Sequence, residues 1–126
     1  MKFLSKAKDG GPESTVTGYW LVEAKKLFSV ALLKFEDGSR DAYHSHAFDS
    51  LNWVLSGQVD EQQLNGIHTR YRAGWIPVVT RRNTFHKVVS RGTTWVLTIR
   101  GPWVDFWKEW TRDRGYETLT HGRKTV

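Results

Sequence analysis

His44-Ser45-His46-Ala47-Phe48-Asp49-Ser50-Leu51-Asn52-Trp53-Val54-Leu55-Ser56-Gly57 opens on a histidine doublet and runs through an apolar stretch to a glycine. In a β-strand, residues two apart project from one face, so the imidazoles of His44 and His46 can converge on one point, as two ligands of one metal ion must. A third histidine, His86, stands in a second apolar segment, Thr84-Phe85-His86-Lys87-Val88-Val89. A lone histidine reads as a surface or hydrogen-bonded group. A same-face doublet with a third imidazole on another strand reads instead as a metal pocket inside a β-barrel.

The flanking segments carry the strand signature. Thr15 to Glu23 and Leu27 to Phe35 are rich in β-branched and aromatic residues, and the turn Glu36-Asp37-Gly38-Ser39 closes the second. Ala42 to Phe48 carries the doublet, Leu51 to Leu55 is apolar, and Ser56-Gly57 turns the chain into Gln58 to Leu64. Asn65-Gly66 predicts a type I′ hairpin returning through Ile67 to Arg72. Further strands are expected over Ala73 to Val79, Phe85 to Val89 and Trp95 to Ile99. Short strands about ten residues apart with repeated turn signals indicate an all-β sandwich or small barrel. Trp103, Phe106, Trp107 and Trp110, at i, i+3, i+4 and i+7, predict a short C-terminal helix or an aromatic plug at the barrel end. The chain thus divides into a flexible leader over 1–14, marked by Gly10-Gly11-Pro12, a barrel over 15–111, and a basic polar tail over 112–126. His68, beside the hairpin turn, and His121, in the tail, read as surface residues.

A chain of 126 residues is one domain, long enough to bury a core without disulfide staples. It contains no cysteine, so a metal must rest on imidazole, carboxylate and water, which favours Fe, Mn, Ni or Zn. The start lacks a long apolar run, and no stretch approaches the ~20 apolar residues of a membrane span, so a soluble cytoplasmic protein without a membrane partner is the expectation. Residues 1–66 hold 7 Lys/Arg against 9 Asp/Glu, whereas residues 67–126 hold 12 against 4. The arginines of the basic half, Arg70, Arg72, Arg81, Arg82, Arg91 and Arg100, suit an anionic partner. Phosphate-binding glycine loops and nucleophile elbows are missing, so any chemistry falls to the metal.

The motifs resemble those of the cupin superfamily, whose small barrels carry two short motifs on facing strands. Gly38-x5-His44-Ser45-His46 and the terminal Gly57 match the first; Gly74 and His86 match the second with one extra residue between them. Asn83 stands in place of the second motif's inner glycine, and Pro77 is displaced from the usual proline. His44 to Asp49, Ser56-Gly57, Arg81-Arg82 before Phe85-His86, and Trp95-Val96-Leu97 leading to Gly101-Pro102-Trp103 also look like a group of small bacterial and phage cupin-like proteins. The resemblance covers Tyr19 to Trp110 and implies a cupin-type double-stranded β-helix, a small jelly-roll barrel. It also implies a divalent metal. The usual glutamate ligand falls at Ser50, with a carboxylate one residue earlier at Asp49. Two ligand sets follow: His44, His46, Asp49 and His86, or the three histidines alone as in the superfamily's thiol dioxygenases, with Asp49 orienting an imidazole. A barrel that has lost its metal is the third alternative.

Glu61 is the candidate positioning group or general base, and Arg81 and Arg82 are candidate anchors for an anionic substrate, of which strand alternation lets at most one face the pocket. The leading expectation is a mononuclear metal-dependent, dioxygenase-like enzyme acting on a small anionic molecule. The alternative is a non-catalytic barrel that sequesters a small anionic ligand such as a nucleotide or sugar derivative, with aromatic walls from Tyr19, Trp53 or Trp75. Nucleic-acid binding ranks last, for want of a recognition helix or stacking signature. A homodimer is left open.

Overall fold

Along Thr94–Arg100, every second side chain is buried: Thr94, Val96, Thr98 and Arg100 face inward, while Trp95, Leu97 and Ile99 do not. That two-residue period is the local rule from which the barrel is built. The computed structural model describes residues 2–9, 14–38, 43–82, 84–112, 114–120 and 124–125. Their strands are β1 (Lys2–Lys8), β2 (Val16–Ala24), β3 (Phe28–Phe35), β4 (Tyr43–His44), β5 (Ser50–Ser56), β6 (Gln58–Gln63), β7 (His68–Arg72), β8 (Val78–Thr80), β9 (His86–Ser90), β10 (Thr94–Arg100), β11 (Trp107–Thr111), β12 (Gly115–Thr120) and β13 (Lys124–Thr125). They form two antiparallel sheets, ordered β1-β2-β3-β10-β5-β8 and β13-β12-β11-β4-β9-β6-β7. The chain crosses repeatedly between them, which is the all-β jelly-roll architecture expected.

The apolar core is a small cluster. Trp20, Ala31, Leu33, Val54 and Val96 are buried together, with Val16, Phe35 and Tyr71 packed against them. Burying a side chain the size of Leu33 or Val54 contributes roughly 1.5–3 kcal/mol. On β5 the inward positions are Ser50, Asn52 and Val54, which line the interior. Leu51 and Leu55 are 39% and 51% exposed, so the apolar run from Leu51 to Leu55 is not itself the buried face.

The ends of the chain depart from the predicted division. Lys2–Lys8, expected within a loose leader, is a strand that pairs with β2 from Lys2↔Glu23 to Lys8↔Thr17. Gly115–Thr120, expected as tail, pairs with β11 from Trp107↔Leu119 to Thr111↔Gly115. Residues 10–13, His121 and Asn83 lie outside the described residues. The predicted helix around the tryptophans is also replaced. Backbone N–H groups of Trp103 and Val104 donate to Lys25 and Ala47 carbonyls at 2.7 and 2.6 Å, and Trp107–Thr111 is laddered to β12 and β4. Those long-range bonds take the groups a helix would need, and the sheet overrides the helical spacing. The indoles of Trp103 and Trp107 nevertheless line the interior, at 90° to one another.

The Asn65-Gly66 turn also differs. Only Gly66 has positive φ, +94°, so the loop is not type I′. It spans Leu64 to Ile67, with the Gly66 N–H donating to the Gln63 carbonyl at 2.9 Å and the Ile67 N–H to Asn65 Oδ1 at 3.1 Å. The Asn65 side chain supplies what a second left-handed residue would have supplied.

Gly57 is required on two counts: its φ is +85°, and a Cβ there would lie 2.6 Å from the Thr93 carbonyl oxygen and 2.6 Å from Thr94 Oγ1. The β5-to-β6 turn thus runs hard against the start of β10. Gly57→Ala is expected to cost about 2–3 kcal/mol, read as a lower urea midpoint with an unchanged slope.

Candidate metal centre

The doublet is placed by a strand that is only two residues long. His44 sits directly opposite His86 in the β4–β9 ladder and opposite Glu109 in the β4–β11 ladder. Beyond His44 the chain leaves the regular ladder but stays anchored. Ser45 N–H donates to the Lys108 carbonyl at 2.9 Å, and His46 N–H donates to the Arg82 carbonyl at 3.0 Å. His46 thereby turns toward the same interior point as His44. The three ring centroids are 4.8, 5.0 and 4.8 Å apart, and the ring planes cross at 81°, 73° and 80°. Near-perpendicular imidazoles around one centre aim their nitrogens inward rather than stacking.

One candidate ligand nitrogen from each histidine lies within 4.8 Å of the others, and among the described residues His44, His46 and His86 form the cluster able to hold a metal. His46 Nε2 and His86 Nε2 are 3.4 Å apart. Two nitrogens bound ~2.1 Å from one ion at tetrahedral to octahedral angles lie roughly 3.0–3.4 Å from each other. The spacing fits.

The protonation state fits as well. His86 Nδ1 and Glu61 Oε2 are 2.7 Å apart, and both residues are buried. The bond to His86 holds the Glu61 carboxyl below its ordinary range, against the opposing effect of burial. An ionised carboxylate only accepts, so the proton sits on His86 Nδ1 and the Nε2 lone pair faces the other imidazoles. Burial, then His44, His86 and Arg100, hold the His46 pKa well below its usual value, leaving a neutral ring. His46 Nδ1 is buried with no hydrogen-bond partner among the described residues, and its Nε2 faces the His86 Nε2. Nitrogen donors of this kind, with no competing thiolate, suit Fe, Ni or Zn.

Asp49 does not join them. It is exposed, and its Oδ1 accepts the Arg82 backbone N–H at 2.7 Å. Since the Arg82 carbonyl holds His46 N–H, Asp49 braces the backbone behind the site and neither ligates nor orients an imidazole. The four-ligand alternative is thus not assembled here. Arg81 and Arg82 are both exposed and absent from the cavity wall, because they lie in a turn after β8 rather than in an alternating strand. His68 is exposed, as expected.

The cavity beside the histidines has a volume of about 250 Å³. Phe35, Phe48, Tyr71, Trp103 and Trp107 supply its aromatic wall, rather than Tyr19, Trp53 or Trp75; Trp75 is 95% exposed. Burial and the neighbouring Glu61 carboxylate push the Tyr71 phenol up, keeping it a neutral donor. The wall holds two cations, Lys87 and Arg100, and Arg100 is buried, 5% exposed. Sequence reading groups it with the other arginines of the basic half, although the Thr94, Val96, Thr98, Arg100 alternation could have placed it inside.

No protein-family profile matches the sequence, and no curated protein matches it. Solved structures do match. A sugar phosphate isomerase of the cupin superfamily from Silicibacter pomeroyi is 13% identical, with TM-score 0.63, covering 100% of this chain and 96% of that one. An RmlC-like cupin from Shewanella frigidimarina is 15% identical, with TM-score 0.60, covering 79% and 84%. Fe(II) HppE is 14% identical, with TM-score 0.63, covering 76% of this chain and 55% of that one. The chain has the double-stranded β-helix fold of the cupin superfamily, in agreement with the resemblance in its motifs.

The Glu61 bond to His86 generates a prediction. Glu61→Gln is expected to weaken divalent-metal binding about 10–100-fold, measured by competition with a chromogenic chelator, while the far-ultraviolet circular dichroism stays unchanged.

Proposed function

We propose that this cupin-fold chain is a metal-binding protein in which His44, His46 and His86 hold one divalent ion, Fe, Mn, Ni or Zn, at the edge of a chamber for a small anionic molecule. The observation that carries this reading is the convergence of three imidazoles, one of them fixed by Glu61 with its Nε2 lone pair facing the others. Such an ion would supply Lewis-acid polarisation, or, as iron(II), the redox chemistry of a dioxygenase-like oxidation. Around it the chain does the rest. Glu61 keeps the proton on the outer nitrogen of His86, Phe48 and Trp103 exclude water, and the buried Arg100 biases the interior toward negative charge. An iron-containing protein and a sugar phosphate isomerase among the structural neighbours are compatible with either chemistry.

A second reading, a barrel that binds its ligand without transforming it, is favoured by one feature. The carboxylates lining the cavity are Asp9 and Glu61, and they are engaged by Arg100 and His86 respectively. Neither stands ready for proton transfer. The volume of about 250 Å³ supports a ligand smaller than a nucleotide in both readings. No helix among the described residues is long and apolar enough to cross a membrane. A homodimer remains part of the proposal: Leu51, Val79 and Ile99 make an exposed apolar row on the outer face of the first sheet.

Elemental analysis of protein purified without a nickel column tests the metal reading. Near-stoichiometric metal is expected in the wild type, with at least about a tenfold reduction in His44→Ala and His86→Ala. Equal, trace metal in all three proteins would overturn it.

A further inference from the structure

Arg100 ends the inward row of β10, and its side chain is almost wholly buried in the cavity wall. The guanidinium carbon lies 4.6 Å from the Phe48 ring centre, and that ring lies 5.4 Å from His46. A permanent cation is thus one aromatic ring away from the imidazole cluster. Its fork is occupied by the chain's own carboxylate: Nη2 donates to Asp9 Oδ2 at 2.7 Å and Nη1 to Asp9 Oδ1 at 3.3 Å. The two partners are not equally enclosed. The arginine side chain is 6% exposed, whereas that of Asp9 is 28% exposed. Asp9 also follows β1, the edge strand of its sheet.

A structural ion pair would be expected to satisfy the buried donors around it. Here several are left over, among them Ser29 Oγ opposite Arg100 on β3 and two on β10 itself. Arg100 Nε and Thr98 Oγ1 are both buried without a hydrogen-bond partner among the described residues. They belong to residues two apart on one face of β10, and both residues line the cavity. A guanidinium and a hydroxyl with unspent donors, beside a fork already holding a carboxylate, describe a carboxylate site.

We propose that Thr98 and Arg100 form a subsite for the carboxylate of a small ligand, and that Asp9 fills the Arg100 fork until the ligand displaces it. The proposal rests on the cavity being a ligand chamber, as the proposed function holds, but not on the metal. It replaces Arg81 and Arg82 with Arg100 as the anion anchor. It also makes the β1 end an internal competitor: affinity is set by how readily Asp9 leaves.

Titration calorimetry of the full chain with malonate, after metal removal by chelator, separates this from the metal reading. Inorganic phosphate is run alongside to distinguish a planar carboxylate from any anion. Asp9→Asn is expected to bind malonate at least about tenfold more tightly than wild type, since an amide competes poorly for a guanidinium fork. Thr98→Val in the Asp9→Asn background is expected to reverse about tenfold of that affinity. Arg100→Met alone takes the guanidinium away from the Asp9 carboxylate and risks misfolding, so the anchor is tested as Asp9→Asn/Arg100→Met, which removes both charges. That double variant is expected to lose malonate binding while keeping a cooperative melt. Unchanged or weaker malonate binding in Asp9→Asn, or equal binding with and without Arg100, would overturn the proposal, as would phosphate binding more tightly than malonate. Metal content of the untreated proteins reports separately on the histidines.

Discussion

A single pairing, His44 against His86 across the β4–β9 ladder, is the constraint on which the candidate site depends. Directly opposed residues in an antiparallel ladder carry their side chains on the same face, so the register alone brings two imidazoles from distant parts of the sequence together. The neighbouring β6–β9 ladder sets Gln63 opposite His86 and Glu61 opposite Val88, so Glu61 reaches His86 on the diagonal. A slip of one residue in either ladder would turn an imidazole or the carboxylate to the opposite face.

The interior is chemically divided, and the division explains how a small barrel tolerates so many buried polar groups. Trp20, Ala31, Leu33, Val54 and Val96 supply the apolar packing. The remaining inward positions carry imidazole, carboxylate, hydroxyl and guanidinium. Most are held in bonds within the wall: Asn52 Nδ2 lies within hydrogen-bond distance of Ser50 Oγ, the Val78 carbonyl and Thr80 Oγ1, and Ser90 Oγ within hydrogen-bond distance of Thr94 Oγ1 and the Gly92 carbonyl. Of the buried polar atoms without a hydrogen-bond partner among the described residues, His46 Nδ1, Thr98 Oγ1 and Arg100 Nε belong to residues that line the cavity, whereas Trp20 Nε1 and Ser29 Oγ belong to residues that do not.

Where sequence reading failed, the cause was tertiary pairing. The tryptophans from Trp103 to Trp110 have helical spacing, yet Trp107–Thr111 is equally an alternating strand, and the partners that decide between them lie far away in β4 and β12. Asp49 looked like a displaced ligand because it stands beside the expected glutamate position; in the fold it faces out and caps a turn. Arg81 and Arg82 were singled out for closeness to His86 in sequence. Arg100, farther along the chain, is the one inside, because its strand alternates and theirs is a turn.

The sequence by itself determined the all-β class, the three histidines, the absence of thiolate chemistry and the glycine at 57, since each follows from a local period, a residue inventory or a backbone angle. Only the tertiary structure decided which carboxylate serves His86, which arginine lines the cavity and that Asp9 reaches it. Those are contacts between residues 25 and 91 positions apart, set by strand register across two sheets, and no local period encodes them.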